Sequence, residues 1–348
     1  MLDKMAEYGH EQILFVSDEE TGLKAIIAVH STILGPALGG VRMLDYKSEQ
    51  DAIYDALRLS KGMTLKCSAA GLNLGGGKAV IIGDPKKLKN KKLLLAYGKF
   101  VNRLSGSYIT AEDVNIGIED VEIINKATKY VTGLSSDGKS GDPSPFTARG
   151  AFMGMKAGAK EKFGSESLKG KTVAVQGLGK VGYDLCRWLK QEGSNIIVTD
   201  VNKSVTDKAA AEFGAKVVTS GEILSTECDI FAPCALGAVL NKNNVSELKC
   251  EMVAGAANNI LVDDLAGNAL ADRNILYIPD YIINAGGVIN ISLEVEGNYS
   301  EVKAIEKVDS IYYNVKNIIA FAKKEDLPIH LAADKFAMNR IEKKSSAN

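Results

Sequence analysis

The chain has 348 residues, too many for one ordinary core and suited to two domains, and its 46% hydrophobic share is that of a globular protein. Its 42 Lys and Arg against 43 Asp and Glu give a net charge of -1, so no cationic excess is present to neutralise phosphates or grip an anionic bilayer, which argues against nucleic acid or membrane as a partner. The polar N-terminal segment and the lack of any run near the roughly 18 apolar residues that span a bilayer make the cytoplasm the expected compartment.

Leu23 to His30 (LKAIIAVH) reads as a strand, and Leu34 to Gly40 (LGPALGG) as a tight turn after it. Ser48 and Asp51 form a capping box ahead of Ala52, Ile53, Ala56, Leu57 and Leu59, whose spacing is helical. That helix leads into Lys61 to Pro85 (KGMTLKCSAAGLNLGGGKAVIIGDP), the stretch that places two lysines beside tightly packed backbone. Gly75, Gly76 and Gly77 let main chain approach a ligand or another strand closely. Lys78 to Ile82 reads as a buried strand with Lys78 at its entrance. Lost hydration and a second nearby ammonium lower a lysine pKa, so Lys66 and Lys78 are candidates for acid-base chemistry; the plain alternative is two solvated surface lysines.

Leu93 to Leu104 is a second amphipathic helix, and Tyr108 to Asp113 (YITAED) is a strand ending on two carboxylates, which also fit a helix cap. Ser135 to Pro145 is rich in Ser, Gly and Pro and reads as a linker. A helix follows from about Thr147 to Lys162, and then strands and helices alternate. Lys171 to Gln176 is a strand, Gly177 to Gly182 (GLGKVG) a glycine turn, Tyr183 to Gln191 a helix, and Asn195 to Thr199 a strand that ends at Asp200. A lone G-x-G-x-x-G is weak, but between a strand and a helix and followed by an acid it points to dinucleotide binding. Gly177 makes the turn, Gly179 admits a pyrophosphate to the helix N-terminus, and Gly182 allows close packing. Asp200 accepts from ribose hydroxyls and repels a 2′-phosphate, favouring NAD over NADP.

Further strands at Lys216 to Val218, Asp229 to Ala232, Met252 to Ala254 and Leu276 to Ile278 complete a doubly wound sheet. Two polar loops follow strands, Ala256 to Asn259 (AANN) and Asp280 to Asn290 (DYIINAGGVIN); their asparagines either face a ligand crevice or serve turns. Helices from Ser300 to Lys323 and from Ile329 to about Lys343 close the chain, the last folding back onto the first domain. The five cysteines are scattered without a C-x-x-C pair, and the three histidines show no triad or metal spacing. No metal is expected, and proton transfer falls to lysines and carboxylates.

LGPALGG, GMTLKCSAAGLNLGGGKAVIIGDP, ITAEDV, GDPSPFTARG, QGLGKVG, APCALGA, AANN and PDYIINAGGVIN together resemble the glutamate, leucine, phenylalanine and valine dehydrogenase family, most of all its leucine-acting members. The resemblance implies an α/β fold of two domains with a catalytic cleft between them. Residues 1–140, with a C-terminal helix over about 325–348, would form the substrate-binding, catalytic and oligomerisation domain, and 141–324 the NAD-binding Rossmann domain. The implied reaction is reversible, NAD-dependent oxidative deamination of leucine, valine and isoleucine to 2-oxo acids, ammonia and NADH, in a homo-oligomer, either dimer or octamer.

By position, the resemblance makes Lys66 the binder of the substrate carboxylate and Lys78 the lysine that activates water and polarises the carbonyl. Asp113 exchanges protons with the amino group, and Asn258 helps hold the carboxylate near the nicotinamide. Leu38, Ala111, Val288 and Ile291 wall the side-chain pocket, and Gly39 and Met63 also bind the substrate. Thr147, Gly177, Leu178, Gly179, Lys180, Val181, Gly182, Asp200, Val201, Ala235 and Asn258 meet the cofactor. Ile260 and Ile291 depart from the pattern: many relatives carry glutamine at the first, and leucine-acting members more often valine at the second, which leans this pocket toward valine. The alternatives are a family member acting on phenylalanine, valine, tryptophan or glutamate, and a catalytically silent NADH sensor, against which the joint presence of Lys66, Lys78 and Asp113 argues.

Overall fold

Five strands build the first sheet: β1 (Gln12–Asp18), β2 (Leu23–Ser31), β3 (Ala37–Leu44), β4 (Gly75–Ile82) and β5 (Tyr108–Ala111), in the order β1-β2-β4-β3-β5. β2 runs antiparallel to β1 and β4, while β3 is parallel to β4 and β5. Successive side chains of a strand point to opposite faces, and both faces here are apolar. Ala25, Ile27, Val29, Val41, Met43, Ala79 and Ile81 pack with Leu93, Leu94, Tyr97 and Val101 of the helix Lys91–Arg103. Ile26, Ala28 and Val80 face the other way, onto Ala52, Ile53, Ala56 and Leu57 of the helix Glu49–Ala69. Ser48 caps that helix by accepting from the Asp51 amide, as its spacing predicts.

The second sheet holds β6 (Thr172–Gln176), β7 (Asn195–Thr199), β8 (Lys216–Val217), β9 (Ile230–Pro233), β10 (Met252–Val253) and β11 (Leu276–Tyr277). All its pairings are parallel and the order is β11-β10-β9-β6-β7-β8, the doubly wound arrangement that reverses direction between β6 and β9. Parallel strands covered on both faces need continuous apolar runs, and Val173, Ala174 and Val175 are fully buried.

The computed structural model describes residues 1–348 apart from positions 137, 236, 298 and 348. It divides into two compact units, Met1–Asp142 with Ile291–Glu301 and Ala337–Asn348, and Pro143–Asn290 with Val302–Phe336. This division differs in detail from boundaries at 140 and 325. Ile291–Glu301 joins the first unit, where the buried Glu294 carboxylate accepts from the Gly133 and Ser140 amides and the Ser140 hydroxyl. The final helix, Ile329–Ser345, changes unit after Phe336; beyond it the Ser68 hydroxyl donates to Ala337 O at 2.7 Å and Arg340 donates to Leu72 O at 2.7 Å. No helix among the described residues is long and apolar enough to cross a membrane.

Several local expectations are corrected. β1 escapes the pattern search because one of its faces is exposed; pairing along its whole length with β2 stabilises it. Only the first part of LGPALGG turns, since β3 begins at Ala37, clasped by β4 and β5. β4 begins at Gly75, so Lys78 lies inside the strand and not at its entrance. Asp280 to Asn290 is helical over Asp280–Ile283 and onward from Gly286 in the helix Gly286–Val295: Ile282, Ile283 and Ile289 bury, and a Cβ at Gly286 would stand 1.9 Å from Phe146 O, so that glycine serves close packing. The segment expected as one helix from Ser300 is two, Glu301–Asp309 and Ile311–Glu325, parted at Ser310.

Candidate active site

Lys78 shares its face of β4 with Gly76 and Val80, the face covered by the helix Glu49–Ala69. A Cβ at Gly76 would lie 2.1 Å from Thr64 N of that helix, and one at Gly77, on the opposite face, 2.6 Å from the Tyr108 ring. The glycine run thus lets helix and tyrosine close on β4 from both sides. The Lys78 side chain is left only 8% exposed.

Lys78 Nζ stands 2.7 Å from Asp113 Oδ2, and Arg42 Nε donates to the same oxygen at 2.7 Å. Asp113 follows β5 in a short turn closed by Ile116 N–H to Asp113 O at 2.9 Å. Gly40 of β3 keeps space for it, since a Cβ there would be 3.0 Å from Asp113 Cβ. Arg42 also donates through Nη1 to Asp55 Oδ2 at 2.9 Å. Asp55 accepts in addition from Tyr46 Oη at 2.8 Å and from Arg58 Nη2 at 3.1 Å. Charges therefore alternate along Lys78, Asp113, Arg42, Asp55 and Arg58.

Burial raises the proton affinity of Asp113, but the charges of Lys78 and Arg42 outweigh it and hold the carboxyl well below the usual carboxylate range. Lys78 moves in the same direction, which an isolated ion pair would not do. Burial lowers its pKa first, Asp113 pulls it back up, and Arg42 lowers it again, leaving it below an ordinary lysine. The site thus holds a firm carboxylate beside a lysine that loses its proton more readily than one in water.

Among the other expected residues of this unit, Leu38 and Gly39 are buried on β3 and Ala111 on β5, and Ile291 is half-buried. Met63 and Lys66 are half-buried on the helix Glu49–Ala69, Lys66 in its last turn.

In the second unit, Gly177 follows β6 with φ 97°, and its absent Cβ makes room for Ala235. A Cβ at Gly182 would be 2.0 Å from Gly177 O, whereas one at Gly179 would meet nothing within 4 Å. Gly179 is the N-cap of the helix Lys180–Glu192 and no side chain caps it. Open backbone at a helix N-terminus suits a phosphate, so these residues fit a dinucleotide. Asp200 directly follows β7, with Oδ2 accepting from Leu178 N at 2.7 Å and Oδ1 from Asn202 N at 2.8 Å. Leu178 is buried and Val181 half-buried, while Lys180, Val201 and Ala235 are exposed. Asn258 is exposed and its Oδ1 accepts from Asn284 Nδ2 at 2.9 Å; Ile260 N donates to Asp280 Oδ2 at 2.6 Å. Thr147 lies in the first turn of the helix Ser144–Phe163, beside Gly287, which with Val288 opens the helix Gly286–Val295.

Two family models match the chain: Glu/Leu/Phe/Val dehydrogenase, dimerisation domain, over residues 10–130, and Glutamate/Leucine/Phenylalanine/Valine dehydrogenase over 198–348. Leucine dehydrogenase of Geobacillus stearothermophilus is 54% identical over 97% of this chain and 92% of its own. The chain belongs to the glutamate/leucine/phenylalanine/valine dehydrogenase family. L-tryptophan dehydrogenase of Nostoc punctiforme is 46% identical, covering 98% of this chain and 96% of its own. A crystal structure of L-tryptophan dehydrogenase from Nostoc punctiforme superposes with a TM-score of 0.87 at 44% identity, covering 99% of both chains.

In this dehydrogenase, sequence reading passes over Arg42, Tyr46 and Asp55. A usable signal exists for Arg42, the one charged residue in ALGGVRML, because a cation within a buried strand requires anionic partners. Asp55 carries no such signal: it occupies an ordinary helix position beside Ala56.

Proposed function

We propose that the chain catalyses reversible, NAD-dependent oxidative deamination of branched-chain aliphatic L-amino acids to 2-oxo acids and ammonia. The observation that carries this reading is the buried Lys78 in contact with the Asp113 carboxylate, in a chain more than half identical to a leucine dehydrogenase. Lys66 binds the substrate carboxylate. NAD, when bound, would supply the hydride acceptor; the turn Gly177, Leu178, Gly179, Lys180 and Val181, closed by Gly182 and Ala235, would hold its phosphates, Asp200 and Val201 its ribose, and Thr147 and Asn258 the nicotinamide side. Asp113, kept ionised, takes the proton that the substrate amino group must lose for an iminium carbon to form. Neutral Lys78 then takes a proton from the water that adds to this carbon, and as an ammonium it polarises the oxygen as the carbonyl forms, the remaining hydroxyl proton passing to solvent. Asp113 returns its proton to the departing amine.

Leu38, Ala111 and Ile291 are apolar, so a second substrate carboxylate would be buried without a partner, and glutamate is the poorest expected substrate. One methylene is worth only about 1 to 3 kcal/mol in such a pocket, so leucine, valine and isoleucine all react. The two units are assigned substrate binding with self-association, supported by the dimerisation-domain match, and NAD binding, supported by the doubly wound sheet. A homo-oligomer in the cytoplasm is the expected form.

A second reading, an aromatic substrate, is favoured by the likeness to L-tryptophan dehydrogenase. Initial rates of NAD and NADP reduction across leucine, valine, isoleucine, phenylalanine, tryptophan and glutamate decide between them. Branched-chain substrates leading in kcat/KM supports the first reading; phenylalanine or tryptophan leading supports the second, and no turnover with any substrate removes both.

A further inference from the structure

Arg42 bonds to two carboxylates that come from different parts of the first unit. Its Nε reaches Asp113, in the turn after β5, and its Nη1 reaches Asp55, on the helix Glu49–Ala69. A guanidinium with both arms engaged cannot swing to follow either partner, and it does not titrate in the working range. We propose that Arg42 and Asp55 are positioning residues for the reaction: Arg42 keeps the Asp113 carboxylate in place through both protonation states of Lys78, and Asp55 holds Arg42 and offsets its charge. The proposal rests on the catalytic roles assigned above to Lys78 and Asp113.

The need for such a device follows from the geometry. Lys78 and Arg42 share one Asp113 oxygen, each at 2.7 Å. Lys78 has to alternate between ammonium and amine during turnover, and as an amine it loses the charge that holds the carboxylate. Arg42 stays cationic throughout, so the carboxylate retains one permanent ion pair. That permanence has a consequence for Lys78, because a second fixed cation nearby disfavours the ammonium. Asp55 counters it from the far side of Arg42, itself steadied by Tyr46 Oη and Arg58. Proton affinity at Lys78, lowered first by burial and raised by Asp113, is thus adjusted further by an opposed pair. The charged and titratable groups on the elements around it are Glu112 and Asp113 after β5, Tyr108 on β5, Arg42 on β3, Tyr46 after β3, Lys24 and His30 on β2, and Glu49, Asp51, Tyr54, Asp55, Arg58, Lys61, Lys66 and Cys67 on the helix.

The test is the pH profile of leucine oxidation at saturating NAD in wild type, Arg42→Met, Arg42→Lys, Asp55→Asn and Asp113→Asn, each checked for fold by circular dichroism. Arg42→Met should move the midpoint of the rise in rate with pH up by about one pH unit, the size of shift a single nearby charge exerts, and Asp55→Asn should move it down by a smaller amount. Arg42→Lys should restore the midpoint but leave kcat about tenfold or more below wild type, because one ammonium cannot reproduce the two-armed hold. Both residues serving only as scaffold predicts lower rates with an unmoved midpoint, or shifts of one sign, and either result overturns the proposal. If Arg42→Met does not fold, the downward shift in Asp55→Asn carries the same test. Asp113→Asn at wild-type rate would sink the functional reading itself; an inactive Asp113→Asn beside unmoved midpoints in Arg42→Met and Asp55→Asn would sink this proposal alone.

Discussion

Replacing Asp113 with asparagine and, separately, Lys78 with methionine should both remove turnover, by about 10²-fold or more, yet differ in their effect on stability. Asp113→Asn deletes the anion that Lys78 and Arg42 share at 2.7 Å each. Breaking a buried pair by removing one partner costs about 3 to 5 kcal/mol. Part of that is relieved, since Arg42 keeps Asp55 at 2.9 Å and Lys78 can shed its proton, leaving about 2 to 3 kcal/mol at pH 7. Lys78→Met leaves Asp113, Arg42 and Asp55 as an intact alternating run and relieves a buried ammonium, so its cost should stay within about 1 kcal/mol. The pH dependence follows from Lys78. Its folded pKa is already below the ordinary 10.5, and loss of Asp113 lowers it further. A lysine with a depressed folded pKa opposes folding wherever the unfolded chain holds the proton, and that penalty fades as pH rises toward 10.5. The deficit of Asp113→Asn relative to wild type, from urea denaturation followed by circular dichroism, should therefore shrink between pH 7 and about pH 10. Equal costs for the two substitutions, or a deficit unchanged across that range, would refute the reasoning.

Three other predictions follow from separate features. His10 is lowered from 6.5 to about 4 by burial first and by His30 next, so it favours folding while neutral and that contribution is lost as pH falls from 6.5 toward 4. The shift is worth at most about 3 kcal/mol and roughly half that after solvent screening; denaturation curves of His10→Asn should be flatter with pH over this window, and an unchanged slope contradicts the assignment. Asp200→Ser should narrow the preference for NAD over NADP in kcat/KM, and a wild type already using both equally would show the assigned role to be wrong. Gly76→Ala places a methyl 2.1 Å from Thr64 N, backbone that cannot step aside alone, and should cost about 3 kcal/mol or more in thermal or urea unfolding together with much of the activity; a variant as stable as wild type would mean the helix is not seated as described.

Local signals in the sequence reach far in this protein. The glycine turn at Gly177 to Gly182, the acid at Asp200 and the cap at Ser48 are short-range devices, each read from residues a few positions apart, and the observed geometry has the same form. The apolar runs of the second sheet are equally plain, because a parallel strand buried on both faces has to be apolar throughout. Where a segment depends on distant partners, the same reading fails. β1 exists because β2 lies beside it, and the asparagine- and glycine-rich stretch after Pro279 is helical because Phe146 and its neighbours close on Gly286. The site divides along the same line. Lys78, Asp113 and Lys66 could be singled out from their motifs, and the three glycines at 75–77 signalled a close approach of main chain. The identity of what approaches was decided by tertiary packing: helix and Tyr108 on the two sides of β4, and Arg42 spanning Asp113 and Asp55 across three separate segments. Periodicity records which face of an element is covered, but ion pairing depends on side chains that meet only when sheet and helix have packed, and this is why the network around Lys78 belongs to the tertiary structure.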